Sequence, residues 1–167
     1  MRTGRSIAAE LRPDRKSKRA IDMDAFVPSA LTQLAQKITT SASAAYRPRF
    51  GVGITDWRII ALLAGEPWIA PVKICATTGL DKAAVSRSLH YLVEAGLVEL
   101  RGGESHRRRL PLALTPKGLA VHDEIAEVAQ RREARLLEGF SPGERAQLLD
   151  FIARMLRSAE ALATQPV

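Results

Sequence analysis

The chain has 167 residues, 46% of them hydrophobic and 26% charged, and this composition supplies enough apolar side chains for a folded core. Lysine and arginine outnumber aspartate and glutamate by 25 to 18, which favours an anionic partner such as nucleic acid or a membrane surface. A single cysteine, Cys75, excludes an intrachain disulfide and a multi-cysteine zinc site. Because no run of roughly 18 apolar residues and no secretory signal is present, we expect a soluble, cytoplasmic protein that does not enter a membrane.

The N-terminal segment carries most of the excess positive charge. Its first 20 residues hold seven basic and two acidic side chains, so five of the seven net charges lie there. Large apolar side chains are few in it, and we therefore expect residues 1–22 to form a disordered or loosely helical tail. Such a tail either grips phosphate or is only solvated. Residues 23–167 are expected to form a single domain.

Helical patterns begin after this tail. Apolar residues at helical spacing predict a first helix over 24–46, closed by a loop that begins at Pro48. A second helix is predicted to begin at Thr55 or Asp56. Pro71 suits the first turn of a short third helix.

Residues 74–101, ICATTGLDKAAVSRSLHYLVEAGLVELR, predict two helices that meet at a sharp corner, followed by a strand. Gly79 suits a left-handed helix end, and Asp81 offers a carboxylate oxygen to cap the next helix, here called the reading helix. Its apolar side chains share one face. The opposite face is typical of a helix that enters a DNA major groove, because small side chains allow close approach and Arg87 can form two hydrogen bonds to guanine. The alternative is an ordinary amphipathic helix on which Arg87 is a solvated charge.

Two strands and two long helices follow. Residues 97–101 and 110–114 predict a β-hairpin, the wing, with the basic sequence GGESHRRR at its tip. Thr115 and Ser141, each followed by proline, predict the starts of the last two helices. Both helices carry an apolar face.

Together these pieces resemble the MarR family of transcriptional regulators. The resemblance rests on TTGLDKAAVSRSLHYLVEAGLVEL, the RRR of the wing and LALTPKG, and it covers roughly residues 24–163. It implies a mainly α fold with a small β-hairpin wing. A winged helix-turn-helix lobe at 55–115 would be flanked by N- and C-terminal dimerisation helices at 24–46 and 116–163. Members of the family are homodimers whose terminal helices interlock, with reading helices in successive major grooves and wings in the adjacent minor grooves.

The resemblance also implies DNA contacts by position. In the wing, Arg108 matches the arginine that enters the minor groove, and Arg107 lies beside it. Where the family usually has an aspartate that orients this arginine, the chain has His106. Either Glu104 substitutes, or the wing is less ordered before DNA binds. The alternative is a solvated basic turn that touches phosphate without choosing sequence. On the reading helix, the implied contacts are Lys82, Ala83, Ala84, Ser86, Arg87 and His90.

Many members of the family release DNA when a small aromatic or phenolic acid enters a crevice between the dimer helices and the DNA-binding lobe. The candidate ligand residues here are Asp56, Trp57, Arg58 and Trp68. A cation such as Arg58 can pair with a carboxylate, and an indole can stack on a ring. Core packing and helix salt bridges are the alternative roles for these side chains.

The resulting hypothesis is a homodimeric, sequence-specific repressor that binds a palindromic operator in double-stranded DNA and is released by a small ligand. One alternative is a winged helix used only for protein contact. Another is a thiol redox sensor acting through Cys75, which is otherwise expected to be a small buried hydrophobe. An enzyme is disfavoured, because His90, His106 and His122 have no nearby nucleophile or metal-ligand spacing. No cofactor or metal is expected.

Overall fold

The computed structural model describes residues 19–23, 25–101 and 110–163. Most of the predicted basic tail and the tip of the wing, including Arg107 and Arg108, lie outside the described residues. Over the described part of the chain, the fold is mainly α with one two-stranded antiparallel sheet, as predicted. In chain order its elements are α1 (Val27–Phe50), α2 (Ile54–Gly65), α3 (Pro71–Thr78), α4 (Lys82–Glu94), β1 (Val98–Leu100), β2 (Leu112–Leu114), α5 (Pro116–Leu136) and α6 (Pro142–Ala163).

Helix α1 extends further than predicted at its C-terminal end. Pro48 lies inside the helix and does not close it. A proline removes one backbone donor and crowds the carbonyl four residues earlier. The helix nevertheless continues to Phe50, because the Gly51 amide donates to the Arg47 carbonyl oxygen at 3.0 Å. Gly51 adopts a φ of +75°, so this glycine, three residues after the proline, is the left-handed residue that ends the helix.

The backbone contacts form two compact units, one ending at Ala42 and the other beginning at Ser43. In the first unit, the apolar side chains that marked α1 in the sequence are exposed to solvent. Leu31, Leu34 and Ile38 are 40%, 49% and 37% exposed, respectively. The predicted apolar stripe therefore exists as an open surface.

The second unit has its core around α2. Ile59, Ile60 and Leu63 are almost completely buried, and this helix contacts α3, α4, α5 and β2. From α5, the fully buried Ile125 completes the packing. Leu92 of α4 is also fully buried, so the reading helix is seated directly on this core.

The sheet confirms the predicted hairpin, with shorter strands of three residues each. Val98 pairs with Leu114 and Leu100 with Leu112 in antiparallel register. A bridge that the sequence did not predict joins Ile69 to this sheet, through the Leu112 amide, which donates to the Ile69 carbonyl oxygen at 2.9 Å. The base of the wing is therefore attached to the chain segment between α2 and α3.

Both predicted caps of the last two helices are present. The Thr115 hydroxyl accepts from the Gly118 amide at 3.0 Å. At α6, Ser141 and Glu144 form a reciprocal capping box, in which the Ser141 amide donates to the Glu144 carboxylate at 2.8 Å. The Ser141 hydroxyl also donates to this carboxylate. Together, the bonds from the Ser141 amide and hydroxyl hold the pKa of Glu144 below its ordinary value.

Helix α6 exposes its apolar face over most of its length. Leu149, Leu156 and Leu162 are 67%, 61% and 68% exposed, and Phe151 is 52% exposed. A row of exposed large apolar side chains along one helix is typical of an association surface. None of the described helices combines the length and apolar character needed to cross a bilayer.

Candidate nucleic-acid interface

The corner before the reading helix forms as predicted. Gly79 adopts a left-handed φ of +65° and ends α3, its amide donating to the Cys75 carbonyl oxygen at 2.9 Å. Two residues later, the Asp81 carboxylate accepts from the Ala84 amide at 2.8 Å and caps α4. The short turn leaves the first residues of α4 open to solvent.

Helix α4, the reading helix, has one packed face and one outward face. Val85, Leu89 and Leu92 are buried. Of the residues implied as DNA contacts, Ala84 is half-buried and the others on this helix are exposed. Those exposed residues are Lys82, Ala83, Ser86, Arg87 and His90.

Two hydrogen bonds that the sequence did not predict fix the middle of this helix. Ser88 is buried, and its hydroxyl donates to the Asp56 carboxylate of α2. The phenol of Tyr91 donates to the Gly51 carbonyl oxygen at 2.8 Å. Both partners lie at the corner between α1 and α2. The only local signal for the first contact was a serine on an otherwise apolar helix face.

The C-terminal end of the reading helix is held by the start of α5. The Lys117 ammonium donates to the Ala95 carbonyl oxygen at 2.8 Å, and the Thr115 hydroxyl donates to the Gly96 carbonyl oxygen at 2.7 Å. The two segments approach so closely that a Cβ at Gly118 would lie 2.0 Å from the Leu97 carbonyl oxygen. Only glycine fits at that contact.

The charges of the outward face differ along its length. His90 faces Glu94 one turn later, with Nε2 and Oε1 3.3 Å apart. For Lys82 and Arg87, by contrast, no hydrogen-bond or ion-pair partner exists among the described residues. The N-terminal part of the reading helix thus presents uncompensated positive charge beside small side chains, which suits an anionic and closely approaching partner.

A cavity of about 340 Å³ lies beside this face, between the end of α1, the start of α2 and the reading helix. Arg87 lines it together with Arg47, and within the described residues Arg47 also has no hydrogen-bond or ion-pair partner. A Cβ at Gly53 would lie 2.7 Å from Arg47 Nη2, so the glycine leaves room for this guanidinium. The remaining lining residues are Ser43, Gly51, Ile54, Thr55, Asp56, Ala84, Ser88 and Tyr91.

The four candidate ligand residues do not surround one site. Asp56 lines the cavity, but its carboxylate already accepts from Ser88 and from the Gly53 amide. Trp57 instead stacks on the His122 ring with centroids 5.4 Å apart, Arg58 donates to the Thr78 carbonyl oxygen, and the Arg101 guanidinium lies 4.8 Å from the centroid of the Trp68 ring. Each of these three side chains is therefore engaged within the fold and away from the cavity.

Cys75 differs from its expectation. It was expected to be a buried hydrophobe, but it is half-exposed, and the buried residue of α3 is the neighbouring Ile74. The helix is therefore rotated so that isoleucine, which has more apolar surface, packs into the core. Among the described residues, no group of three or more His, Cys, Asp or Glu side chains is arranged to hold a metal ion.

Helices α2, α3 and α4 form a three-helix core in which the reading helix α4 follows a tight corner, and an antiparallel hairpin comes next in the chain. This arrangement defines a winged helix-turn-helix protein, a class that binds DNA. Comparison with known proteins narrows the class to one family. The sequence model of the MarR family matches residues 50–109. The crystal structure of a MarR/EmrR family transcriptional regulator from Acinetobacter sp. ADP1 is 33% identical, with a TM-score of 0.78 over 84% of this chain and 99% of that one.

The chain therefore belongs to the MarR family, whose members are transcriptional regulators and not enzymes. The HTH-type transcriptional regulator PetP of Rhodobacter capsulatus is 35% identical over 83 residues, which is 50% of this chain and 49% of PetP, so the match spans about half of each. The PcaV regulator of Streptomyces coelicolor, solved with its natural ligand, shares the fold with 21% identity and a TM-score of 0.69 over 84% of this chain and 98% of that one. The resemblance identified from the sequence is confirmed.

Proposed function

We propose that this transcriptional regulator is a homodimeric repressor in the cytoplasm, that it binds a palindromic operator, and that a small ligand releases it. The observation that supports DNA reading best is the outward face of α4. That face combines the small Ala83 with exposed Lys82 and Arg87, which have no hydrogen-bond or ion-pair partner among the described residues, on a helix anchored through Ser88 and Tyr91. A preorganised helix loses little freedom when it enters a groove.

In this proposal Arg87 reads a base, whereas Lys82 contacts phosphate. A bidentate arginine–guanine contact discriminates against other bases by about 1–3 kcal/mol. We expect Arg87→Ala to lose that amount on the selected site and to relax the preference at one base pair per half-site. Lys82→Ala should weaken selected and random duplexes equally and lower the salt dependence.

The experiment begins with selection of bound sequences from a random duplex pool. Fluorescence anisotropy then compares wild type, R87A and K82A on selected and random duplexes at two salt concentrations. Equal losses by R87A on both duplexes would show that Arg87 touches only phosphate and would refute the base-reading role. If even random duplex fails to bind at low salt, the protein-contact alternative is favoured.

The wing is proposed to reach the minor groove through Arg108, with Arg107 beside it. This part of the proposal rests on the sequence resemblance. A minor groove distinguishes little beyond A·T from G·C, and it attracts arginine most where it is narrow. We expect Arg108→Ala to weaken A·T-flanked sites most. Because His106 stands where an orienting aspartate is usual, the loss should be smaller than for Arg87→Ala and more sensitive to salt.

Homodimerisation is supported by the exposed apolar faces of α6 and of the N-terminal part of α1. Leucines such as Leu149 and Leu156, each more than half exposed, are costly to leave in water. A two-fold dimer would also explain a palindromic operator, because the symmetry of the protein sets that of the DNA site. Sedimentation should give twice the chain mass of 18.2 kDa. A monomer at micromolar concentration would remove the basis for a palindrome.

The proposed effector is a small aromatic or phenolic acid. The class of acid is what the sequence resemblance implies, and the structurally similar PcaV, which was solved with its natural ligand, supports only that this fold can hold a ligand. A ligand can change DNA affinity only if it binds the DNA-competent and DNA-incompetent states unequally. Of the four candidate residues, only Asp56 lines the described cavity, where its carboxylate, which accepts from Ser88 and from the Gly53 amide, would shape the site and not pair with the acid.

A further inference from the structure

We infer that Arg101, seated on the ring of Trp68 at the base of the wing, binds a backbone phosphate of DNA, and that Trp68 is the positioning residue that holds its guanidinium ready. The inference rests on the proposed function, because it needs a duplex that lies against the wing. The site is outside both the reading helix and the wing tip, where the other proposed DNA contacts are.

Trp68 has a backbone conformation that bulky residues rarely adopt. Its φ is +63°, and among the described residues it is the only non-glycine residue with a positive φ. The left-handed region is costly for a residue with a Cβ, and such strain is common at functional sites. Core packing does not account for it, because Trp68 is 37% exposed. The next residue, Ile69, is buried and accepts from the Leu112 amide, so the strained residue is fixed to the wing.

The exposed ring of Trp68 holds an arginine of the wing. Arg101 directly follows β1, and its amide donates to the Pro111 carbonyl oxygen at 3.0 Å. The carbon at the centre of its guanidinium lies 4.8 Å from the centroid of the Trp68 ring, which is within the range of about 6 Å for an attractive cation–π contact. The contact therefore orders an exposed arginine that would otherwise sample many rotamers.

The Arg101 guanidinium keeps its hydrogen-bond donors free. Two other arginines of the described chain, Arg49 and Arg154, also lie on aromatic rings. Each of these also pairs with a carboxylate, at 3.7 Å and 3.6 Å respectively. For the Arg101 guanidinium, no hydrogen-bond or ion-pair partner exists among the described residues. Because a ring takes only the face of a guanidinium, the donors at its edge are left to bind an oxyanion such as phosphate.

The place of Arg101 in the chain indicates which phosphate it meets. The reading helix ends at Glu94, β1 follows, and Arg101 stands between them and the wing tip. In the proposed complex, the reading helix occupies a major groove and the wing tip the adjacent minor groove. A sugar–phosphate backbone separates these two grooves, so the base of the wing faces phosphate. Since Trp68 has already ordered the arginine, this contact costs less rotamer freedom than one from a free surface arginine.

The first test removes the charge. Fluorescence anisotropy compares wild type and Arg101→Ala on selected and random duplexes over a series of salt concentrations. Affinity should fall by about tenfold per protomer on both duplexes, because a charge-assisted phosphate contact carries no sequence information. The slope of log affinity against log salt should become shallower by about 0.9 per protomer. Arg49→Ala removes the same charge from a carboxylate-paired arginine and should change affinity by less than about twofold.

The second test removes the ring. Trp68→Phe keeps an aromatic face and should bind within about twofold of wild type. Trp68→Leu keeps apolar bulk without a face for the cation, and should lose about threefold to tenfold per protomer. Trp68→Gly accepts the left-handed backbone without strain and should lose DNA affinity as Trp68→Leu does. Urea unfolding verifies that each variant is folded under the assay conditions. A merely structural role would instead let leucine substitute for the indole as well as phenylalanine does.

A double-mutant cycle links the two residues. Trp68→Leu should weaken DNA binding in the wild-type background and have no further effect in the Arg101→Ala background, because the ring acts through that arginine. The preference for A·T-flanked sites should remain as in wild type, since the wing tip is unaltered. A changed preference would show that Trp68 acts on the whole wing, which would overturn the positioning role.

The inference is also overturned if Arg101→Ala binds DNA as wild type does, if Trp68→Leu costs as much without Arg101 as with it, or if phenylalanine and leucine variants lose equally. A loss by Arg101→Ala on the selected duplex alone would assign that arginine to a base, and this too contradicts the phosphate contact. A wild-type protein that binds no duplex would refute the proposed function together with the inference, whereas duplex binding that ignores Arg101 would refute the inference alone.

Discussion

Gly118 is the position where the packing of α5 against the reading helix can be tested most sharply. A Cβ there would lie 2.0 Å from the Leu97 carbonyl oxygen and 3.3 Å from the Leu114 Cβ, whereas carbon–oxygen contacts in proteins begin near ~3.3 Å. Gly118→Ala must therefore separate the two backbones by about 1 Å. Overpacking of this kind costs up to about 3 kcal/mol. The same Leu97 oxygen accepts from the Thr115 amide at 3.0 Å, and loss of that bond adds about 1 kcal/mol.

Alanine regains about 1 kcal/mol through its higher helix propensity, so the expected net loss for Gly118→Ala is about 3 kcal/mol in the free energy of unfolding. Gly143→Ala is the matched control. Gly143 also lies in the first turn of a helix, but a Cβ there meets nothing within 4 Å, and the variant should gain up to about 1 kcal/mol. Urea unfolding at one fixed protomer concentration measures both changes, because association makes stability concentration-dependent. A G118A protein as stable as wild type would refute the close-contact argument.

Three further predictions concern hydrogen bonds. Ser88→Ala should lower the free energy of unfolding by about 1–2 kcal/mol, since a charge-assisted bond to the half-buried Asp56 is lost, whereas exposed Ser86→Ala should change it by under about 0.5 kcal/mol in the same urea titration. Thr115→Val should cost about 1–2 kcal/mol; thermal unfolding as late as in wild type would contradict the cap. The fold lowers the pKa of Glu144 from its ordinary value of 4.5. The ionised Glu144 carboxylate therefore stabilises the folded state at pH values above 4.5, and this stabilisation is lost as pH falls through the folded pKa. The melting temperatures of wild type and Glu144→Gln should accordingly converge in acid.

Features that depend on neighbouring residues could be predicted from the sequence. Gly79 and Asp81 determine the corner before the reading helix within a few residues, and Thr115 and Ser141 each cap a helix through a bond to an amide three residues later. The hairpin followed from two short apolar runs around a glycine-containing tip. Each of these signals acts locally, so the order of elements needs no knowledge of the tertiary fold.

Features that depend on distant residues could not be predicted in this way. The partners in the Ser88–Asp56 bond are 32 residues apart and those in the Tyr91–Gly51 bond are 40 apart. Both bonds arise because α2 packs against α4 and the Gly51 turn after α1 lies beside it, and the same elements line the cavity. Trp57 illustrates the same limit: its stacking on the His122 ring, which lies far along the chain, had no local signal.

The positions of the anchors along α4 restrict how a ligand can act on DNA binding. Arg87 is followed directly by Ser88, whose bond to Asp56 fixes the helix to α2, and one turn later Tyr91 fixes it to Gly51. A ligand bound beside α4 cannot shift the backbone at Arg87 without straining these bonds, whereas the Arg87 side chain is exposed and has no hydrogen-bond or ion-pair partner among the described residues. Redirection of a side chain costs rotamer freedom only, about 2 kcal/mol or less, whereas rotation of the helix would also cost two hydrogen bonds. The anchored helix therefore favours a ligand effect through exposed side chains over displacement of the whole reading helix.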